Sequence, residues 1–343
     1  MSLNKSFFER PTNITAKVIC DSISEDGVRL TTFELEYPRF IHSELMTHRM
    51  LSKNSSSSRA IPVSKMIGQI EDNMALPLYW GKNKSGMQAV EEVSKFDECK
   101  SVLSWERSFN YIKDRVNDML SVDLHKQIPN RLLEPFQMMK VVITGTDWEN
   151  FFNLRIHPDA QPEICMLAYK IYEAMQQSKS QKLLQGQYHL PYVCNSYELS
   201  EEGFPILDTL AYCTEDNKLL SLEEAIKISA ASCASVSYRT EGMTLDKAEK
   251  IFDMLIKAEV IHSSPFEHIA TPIIEKELVF EWEWRDGVEY RESDYWQGGV
   301  THRNKQGQLC SGNFRGWVQF RHLLPNNTTW SFDFDKRMEL FEV

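Results

Sequence analysis

The sequence predicts an α+β fold, with a mixed or antiparallel sheet packed against helices. The clearest strand lies within residues 28–37, where apolar and acidic side chains alternate from Phe33 to Tyr37. A long amphipathic helix is predicted from about Gln161. Strands and helices follow one another without a regular βαβ rhythm, which favours α+β over a parallel α/β sheet.

The segment after this strand is predicted to be a helix that leads into a serine-rich stretch. Residues 40–52 are expected to be helical, and Glu44, His48 and Ser52 recur every four positions and so share one face of that helix. The serine-rich stretch then runs to Pro62. Taken alone, such a stretch is typical of a solvated linker.

The rest of the chain alternates between helical regions and short strands. An apolar, β-branched run at 141–143 predicts a strand, after which Thr146 or Asp147 is placed to cap a helix. Residues 178–222 are polar and interrupted by Gly and Pro, which predicts a connector or an insertion. The other predicted elements are a helical region at 88–126, helices at 222–235 and 244–259, and a strand at 280–284.

Composition excludes several classes of protein. With 42% apolar and 25% charged residues, the 343-residue chain has the profile of a soluble globular protein. No apolar run is long enough to cross a membrane, and the N-terminus lacks the pattern of a signal peptide. The seven cysteines form no C-x-x-C pair, which disfavours a disulfide framework or a metal site and favours a cytoplasmic location. A net charge of −11 disfavours direct nucleic-acid binding.

The serine-rich stretch contains a spaced polar motif. The pattern H-R-x-x-S-x-N-x-x-S-x-R begins at His48 and ends at Arg59. Serine hydroxyls and backbone N–H groups in a tight turn donate hydrogen bonds to phosphate, and a guanidinium adds a bidentate charge. The sequence from Ser55 to Arg59 is therefore suited to bind an anion.

This motif resembles the signature of the flavin-dependent thymidylate synthases (the ThyX family), R-H-R-x-x-S-x-N-x-x-S-x-R. Two further blocks also resemble that family. In "NRLLEPF…TDWENFFNLRIHPDAQPEI", the matching residues are Arg131, Asn150, Arg155, Gln161 and Glu163. In "SVSY…LIKAEVIHSSPFEHIATP", the matching segment ends in the S-P-F-E-H sequence of residues 264–268, and Ser235 replaces an arginine.

The order of the blocks differs from the order in ordinary members of the family. There the S-P-F-E-H block precedes the H-R signature, whereas here it follows more than two hundred residues later. The resemblance therefore implies a single ThyX-like domain over residues 1–343 in circularly permuted order, of a phage type. Residues 178–222 would be a connector or an insertion, and residues 275–343 a C-terminal extension whose role the resemblance does not supply.

The resemblance implies that the chain methylates dUMP to dTMP. Methylenetetrahydrofolate would supply the carbon, reduced FAD the hydride, and NADPH the electrons that reduce the flavin. It also implies a homotetramer, in the host cytoplasm if the chain is phage-encoded. The alternatives are flavin-dependent modification of another pyrimidine nucleotide, for example hydroxymethylation, and a nucleotide- or flavin-binding homologue without turnover.

By the same resemblance, the site residues divide between nucleotide and cofactor. The catalytic residues would be Arg155, facing the uracil carbonyls, and Arg131. The nucleotide would also be bound by Ser57, Ser58, Arg59 and Glu44, with the phosphate held by Ser57 and Arg59. The cofactor-binding residues would be His48, Arg49, Ser55, Asn150, Ser237 and His268. No metal is implied.

Three positions depart from the family motif. Thr47 replaces its first arginine, and Ser55 replaces an acidic residue. Glu44 replaces the glutamine of the family's overlapping upstream run, P-x-F-x-x-x-Q-x-x-R-H-R, which "PRFIHSELMTHR" otherwise resembles. The changes at Thr47 and Glu44 weaken anion binding unless other basic residues compensate, and Arg315 and Arg321 are candidates by composition. Plainer roles stay open for several of these residues: Glu44 on a solvated helix face, Arg155 in a surface ion pair or helix cap, Arg131 at a helix end, and His268 bonded within its own turn.

Overall fold

The computed structural model describes residues 5–86, 89, 91–203, 205–237, 242–257, 261–273, 282–285, 288–291, 296–328, 334 and 338–341. For residues 282–285 and 288–291 it describes the backbone alone. Within these residues, helices and short strands are mixed, which confirms the predicted α+β class.

The described helices lie mainly between the first strands and the third sequence block. They are α1 (His42–Met46), α2 (Val63–Asp72), α3 (Lys95–Ser121), α4 (Pro129–Leu133), α5 (Glu149–Arg155), α6 (Pro162–Gln177), α7 (Leu222–Ala234) and α8 (Leu245–Ile256). None of the helices in the described part of the chain is both long and apolar enough to span a membrane.

The described strands form one five-stranded sheet and four smaller ones. The strands are β1 (Thr15–Ile23), β2 (Arg29–Pro38), β3 (Ser52–Ser55), β4 (Met138–Gly145), β5 (Gln181–Lys182), β6 (Cys194–Ser196), β7 (Ala211–Cys213), β8 (Leu219–Leu220), β9 (Ala270–Pro272), β10 (Trp282–Arg285), β11 (Val288–Arg291), β12 (His302–Arg303), β13 (Leu309–Ser311), β14 (Phe314–Arg315) and β15 (Trp317–Gln319). The main sheet has the order β3-β4-β2-β1-β5 and is antiparallel except for β1–β5. The remaining sheets are β6-β7-β8, β10-β11, β12-β13-β14 and β15-β9.

One face of the main sheet carries the largest apolar cluster. Phe33, Leu35 and Tyr37 alternate along β2, as the sequence predicts, and are fully buried against residues of α5 and α6. The ring of Phe33 meets Trp148 edge-on at 5.1 Å, at the entry to α5. This packing fixes where α5 begins and therefore where Arg155, its last residue, emerges.

The second half of the chain covers the opposite face of the same sheet. Thr32 and Thr144 are fully buried there, beneath His189 of the connector and His268 of the 3₁₀ helix Ser264–His268. The connector is therefore packed into the protein, and strand β2 is buried on both faces in its first half. The alternation at residues 33–37 alone did not indicate this second covering layer.

The predicted helix over residues 40–52 is wrong beyond Met46. A 3₁₀ turn and α1 end at Met46, where the Thr47 hydroxyl bonds back to the Glu44 carbonyl at 2.7 Å. Lys53 donates to the carbonyl of Leu51 at 2.8 Å, and Ser52 already belongs to β3. Pairing of Ser52–Ser55 with β4 outweighs helix propensity here, so Ser52 does not share a helix face with Glu44.

The predicted cap of α5 is also wrong. Neither Thr146 nor Asp147 caps the helix, whose N-cap position is Trp148 without a side-chain hydrogen bond. Thr146 instead accepts a hydrogen bond from the backbone N–H of Arg315, and Asp147 forms an ion pair with the Arg315 guanidinium. These polar side chains are used for a tertiary contact with the C-terminal segment.

Most other predicted elements are confirmed with shifted ends. The helical region at 88–126 is α3, the apolar run at 141–143 lies in β4, and the helix from Gln161 is α6. The helices at 222–235 and 244–259 are α7 and α8, and the strand at 280–284 is β10 from Trp282. Of the predicted ranges, residues 88, 90, 258, 259, 280 and 281 lie outside the described residues. Helix α2, which follows Pro62, was not predicted.

Candidate functional site

Arg155 is the centre of a cluster that joins two of the sequence blocks. Its Nε donates to His48 Nε2 at 2.8 Å, and its Nη1 forms an ion pair with Glu44 at 2.8 Å. A longer contact of 3.4 Å connects Nη2 to the Thr47 hydroxyl. Both positions that depart most from the family motif, Glu44 and Thr47, therefore contact the arginine predicted to face the substrate.

This geometry corrects the plainer reading of Glu44. Although α1 ends early, Glu44 is not merely solvated, because its carboxylate is the ion-pair partner of Arg155 and is only 29% exposed. One carboxylate oxygen of Glu44, Oε2, accepts the hydrogen bond from Arg155 Nη1. The guanidinium is held by a carboxylate and an imidazole.

His48 is kept neutral by its surroundings. Burial, with the nearby charges of Arg155 and Lys53, lowers the pKa of His48 to about 4. Because Nε2 accepts from Arg155, the proton of the neutral ring is assigned to Nδ1. The ring packs edge-on against Phe151 of α5 at 4.9 Å, so α5 positions both members of the pair.

We expect His48 to take up a proton only near pH 4, measured as the midpoint of its ring signal in an NMR titration. The pKa lies below the value of about 6.5 in an unfolded chain. Its contribution to stability is therefore complete above pH 6.5 and is lost as the pH falls towards 4. Replacing Arg155 with alanine should raise the midpoint, and replacing the exposed His157 with asparagine should leave it unchanged. A midpoint near 6.5 in the unaltered protein would contradict the Arg155–His48 bond.

The serine segment is anchored through Glu134. The Ser58 hydroxyl is buried and donates to Glu134 at 2.6 Å, and the same carboxylate pairs with Arg131 at 2.9 Å and with Arg39 at 3.1 Å. Asn130 donates to the backbone carbonyls of Ser58 and Ile61 and thereby holds the turn. Ser58 is thus a structural anchor of the loop, with its hydroxyl already used.

Arg59 and Arg131 line one cleft of about 440 Å³. Arg59 is exposed and has no ion-pair or hydrogen-bond partner among the residues that the structure describes. Glu134 is shared by Arg39 and Arg131, so within the described residues it is the one carboxylate paired with any of Arg39, Arg59 and Arg131. In a protein of net charge −11, this local excess of arginine is suited to an anion.

The third sequence block packs against the first. The backbone N–H of Ser57 donates to the Ser237 hydroxyl at 2.8 Å, and Asn54 donates to the carbonyl of Cys233 at 3.2 Å. His268 bonds Thr144, which lies opposite Ser52 in the sheet. The structure therefore brings together segments that are about 180 residues apart.

Other predicted cofactor residues have free polar groups. Arg49 and Asn150 are exposed and have no hydrogen-bond or ion-pair partner within the described part of the chain. Ser55 is half-buried at the end of β3. The Nε2 atom of His268 is buried and unpartnered within the same part. An unpaired guanidinium for a pyrophosphate and an unpaired buried ring nitrogen fit a cofactor such as FAD.

The two candidate compensating arginines of the C-terminal segment are each ion-paired with a carboxylate. Arg315 is paired with Asp147, and Arg321 is paired with Glu267. The segment reaches β3 in another way: Asn313 donates to the carbonyl of Met50, and the Asn313 and Gln319 side chains bond the Ser52 hydroxyl. The segment thus supports the strand between the two charged ends of the site.

Sequence reasoning missed several residues that shape the site. Glu134, Arg39 and Lys53 orient the predicted residues, and burial lowers the pKa of Lys53 to about 8. The spacing of Glu134 three residues after Arg131 is a helix-surface signal that indicates their pairing. Arg39 and Lys53 have no comparable signal, because their partners are distant in sequence or are backbone carbonyls.

Comparisons with known proteins agree with the motifs. Residues 29–178, less than half of the chain, match the family model Thy1, described as thymidylate synthase complementing protein. This match confirms the resemblance and the predicted enzyme class, a thymidylate synthase-like methyltransferase. No curated protein sequence matches the chain.

Two solved structures of PolB, a UMP/dUMP methylase from Streptomyces cacaoi, are similar to the chain. The structure bound with 5-Br UMP has a TM-score of 0.41 at 19% identity and covers 49% of this chain and 90% of that one. The structure bound with 5-Br dUMP has a TM-score of 0.39 at 18% identity and covers 49% and 91%.

Proposed function

Because residues 29–178 match the Thy1 family model, we propose that the chain is a flavin-dependent methylase that converts dUMP to dTMP. When bound, reduced FAD supplies the hydride, methylenetetrahydrofolate is the carbon donor, and NADPH is the proposed reductant. The domain is proposed to be single, permuted and homotetrameric, and to act in the cytoplasm of a host cell. The observation that carries the proposal is the unpaired Arg59 beside Arg131 in one cleft.

The phosphate of the nucleotide is proposed to bind at the Arg59 end. There Arg59 has no competing carboxylate among the described residues, and Arg131 shares Glu134 with Arg39. Ser57 is exposed and its hydroxyl is available, while Ser58 fixes the turn through Glu134. Two guanidinium groups and a hydroxyl form a donor set of the kind that binds phosphate.

The pyrimidine is proposed to lie towards Arg155. Strand β3 connects the two ends of the site, and its four residues span about 13 Å at ~3.3 Å per residue. Arg155 would stabilise negative charge on the ring oxygens, a form of electrostatic preorganisation. His48, kept neutral, would hold the guanidinium through Nε2 and would retain a donor at Nδ1.

The flavin is proposed to be held by residues that are otherwise unpaired. Arg49 and Asn150 have free polar groups on the exposed side of the site, and His268 has its unpartnered Nε2. Ser55 and Ser237 would complete the set, with Ser237 also holding the backbone of Ser57. These residues bind and orient the cofactor.

A binding and turnover experiment tests the proposal through Arg59. Replacing Arg59 with alanine removes a charge-assisted contact worth about 1.5–3 kcal/mol, so the affinity for dUMP should fall about 10- to 100-fold. The control is Arg107→Ala, which removes another exposed arginine without a partner among the described residues, on α3. Calorimetry gives the affinity, and chromatography of the nucleotides gives dTMP formed with FAD, NADPH and methylenetetrahydrofolate.

Two results would contradict the assignment. Equal dUMP affinity in both variants would remove Arg59 from the nucleotide site. Nucleotide and flavin binding without any product would instead favour a homologue that has lost turnover.

One observation favours a second candidate, modification of a different pyrimidine nucleotide. The carboxylate of Glu44 competes with a substrate for Arg155 and presents only acceptor atoms to a bound base. A base with an exocyclic amino group would donate to this carboxylate, which a uracil O4 cannot do. Parallel incubations with dUMP and with dCMP distinguish the candidates. If only dUMP gives a product, the second candidate is excluded. If only dCMP gives a product, the second candidate replaces the first.

A further inference from the structure

A row of small polar residues crosses four strands of the main sheet. In the strand register, Ser52 of β3 lies opposite Thr144 of β4, Thr144 lies opposite Thr32 of β2, and Thr32 lies opposite Cys20 of β1. Directly opposed residues point to the same side of a sheet. Thr32 and Thr144 are fully buried, and their hydroxyls bond each other at 2.7 Å.

Two buried histidines from distant segments bond to this row. His268 Nδ1 lies 2.7 Å from the Thr144 hydroxyl, and His189 Nε2 lies 2.7 Å from the Thr32 hydroxyl. The other ring nitrogen of His189 bonds Ser22 at 2.8 Å, with Cys20 at 3.3 Å. His268, Thr144, Thr32 and His189 therefore form one continuous hydrogen-bonded chain, here called the cross-sheet chain.

Both histidines are neutral, because burial lowers the pKa of each to about 3. A neutral imidazole has one N–H and one acceptor nitrogen, and each threonine hydroxyl has one proton to donate. Only two arrangements use every proton within the chain. Donation runs either from His189 towards His268, which leaves both rings protonated at Nε2, or from His268 towards His189, which leaves both protonated at Nδ1.

Arrangements with opposite tautomers are disfavoured by the shared threonine pair. If both rings donate inwards, Thr32 and Thr144 have two protons for the single bond between them, and one buried hydroxyl proton lacks an acceptor in the chain. If both rings accept, no proton lies between two hydroxyl oxygens 2.7 Å apart. Buried polar groups without partners are costly, so the two tautomers are coupled.

We propose that His189 and His268 share one tautomer, which is set through Thr32 and Thr144. His189, Thr32 and Thr144 are thus positioning residues for His268. The chain ends at His268 Nε2, the buried nitrogen without a partner among the described residues, beside the strand that leads into the serine segment. Whether this nitrogen donates or accepts is thereby coupled to the tautomer of His189 in the connector. The role of His268 at the flavin rests on the proposed function, whereas the coupling does not.

The test is the tautomer of each ring, read from ¹⁵N chemical shifts of histidine-labelled protein without ligand. His189→Gln and His268→Gln variants assign the signals. Thr32→Val keeps the β-branched shape and removes the bridging hydroxyl, and Thr144→Val interrupts the same chain if the first variant fails to fold. The matched control is Thr31→Val, since Thr31 is equally buried but bonds Asp21 at 3.2 Å, outside the chain.

The unaltered protein and the Thr31 variant should show the same tautomer at both rings. In the Thr32→Val variant the two rings should have different tautomers. Thr144 would donate to His268 Nδ1, so that His268 carries its proton on Nε2, while His189 would carry its proton on Nδ1 and donate it to Ser22. Thr32→Ser, which restores the hydroxyl, should restore the shared tautomer. Opposite tautomers in the unaltered protein, or a shared tautomer retained in the Thr32 and Thr144 valine variants, would overturn the proposal. Because no flavin is present, this failure is distinct from failure of the proposed function.

Discussion

Replacing Arg155 with alanine is expected to lower kcat/KM for the nucleotide about 10²- to 10³-fold, the range found when one preorganised donor to developing negative charge is removed. The loss should be largest in kcat, because the guanidinium is proposed to stabilise charge that develops on the pyrimidine. It should also release Glu44 and His48, which Arg155 holds at 2.8 Å each. Steady-state kinetics of nucleotide conversion measures the effect.

The controls separate a catalytic role from a structural one. Arg29→Ala removes another arginine that is ion-paired with a carboxylate, here Asp21, away from the site, and should leave kcat unchanged in the folded protein. Glu44→Gln keeps a hydrogen-bond partner but removes the competing charge, and should raise nucleotide affinity by up to about fivefold. If Arg155→Ala retained full kcat, Arg155 would have no role at the reacting ring.

Replacing Trp317 with alanine is expected to lower the free energy of unfolding by about 3–5 kcal/mol, the usual cost of removing a buried tryptophan. Trp317 is fully buried against Val28, Leu30 and Phe314, and its indole N–H donates to the carbonyl of Val28 at 3.0 Å. The substitution would leave a cavity and a lost bond between the C-terminal segment and the first strands. Urea unfolding measures the change.

The matched control lies in the same segment. Trp296 is 37% exposed, so Trp296→Ala should cost much less. Equal, small effects of both substitutions would show that the C-terminal segment is not part of the folded core. A large loss at Trp317 alone would show that this segment is part of the folded core.

Part of the fold could be predicted because local patterns agree with tertiary packing. Alternation at Phe33, Leu35 and Tyr37 identified β2, and amphipathic spacing after Gln161 identified α6. The prediction of a helix over residues 40–52 was wrong beyond Met46, because pairing of β3 with β4 is a long-range interaction that leaves no periodic signal in the local sequence. The same is true of the threonine row, which becomes visible only once strand register is known.

The candidate site was predictable in its residues but not in its pairings. Motif spacing selected Glu44, His48, Arg59 and Arg155, and the structure brings three of them into one cluster. Motif spacing could not show that Glu44 forms an ion pair with Arg155 or that the Ser58 hydroxyl donates to Glu134, because these contacts depend on where α5 and α4 end. Charge in the motif is therefore not the same as charge available to a ligand.

The visible absorption spectrum of protein-bound FAD, recorded before and after addition of dUMP, tests most directly that one site holds both ligands. We expect the protein to bind FAD and dUMP to shift the flavin bands. The dUMP concentration that gives half of the shift should rise about 10- to 100-fold in Arg59→Ala and stay unchanged in Arg107→Ala. Failure to bind FAD, or flavin bands that do not respond to dUMP, would contradict a single site for both ligands.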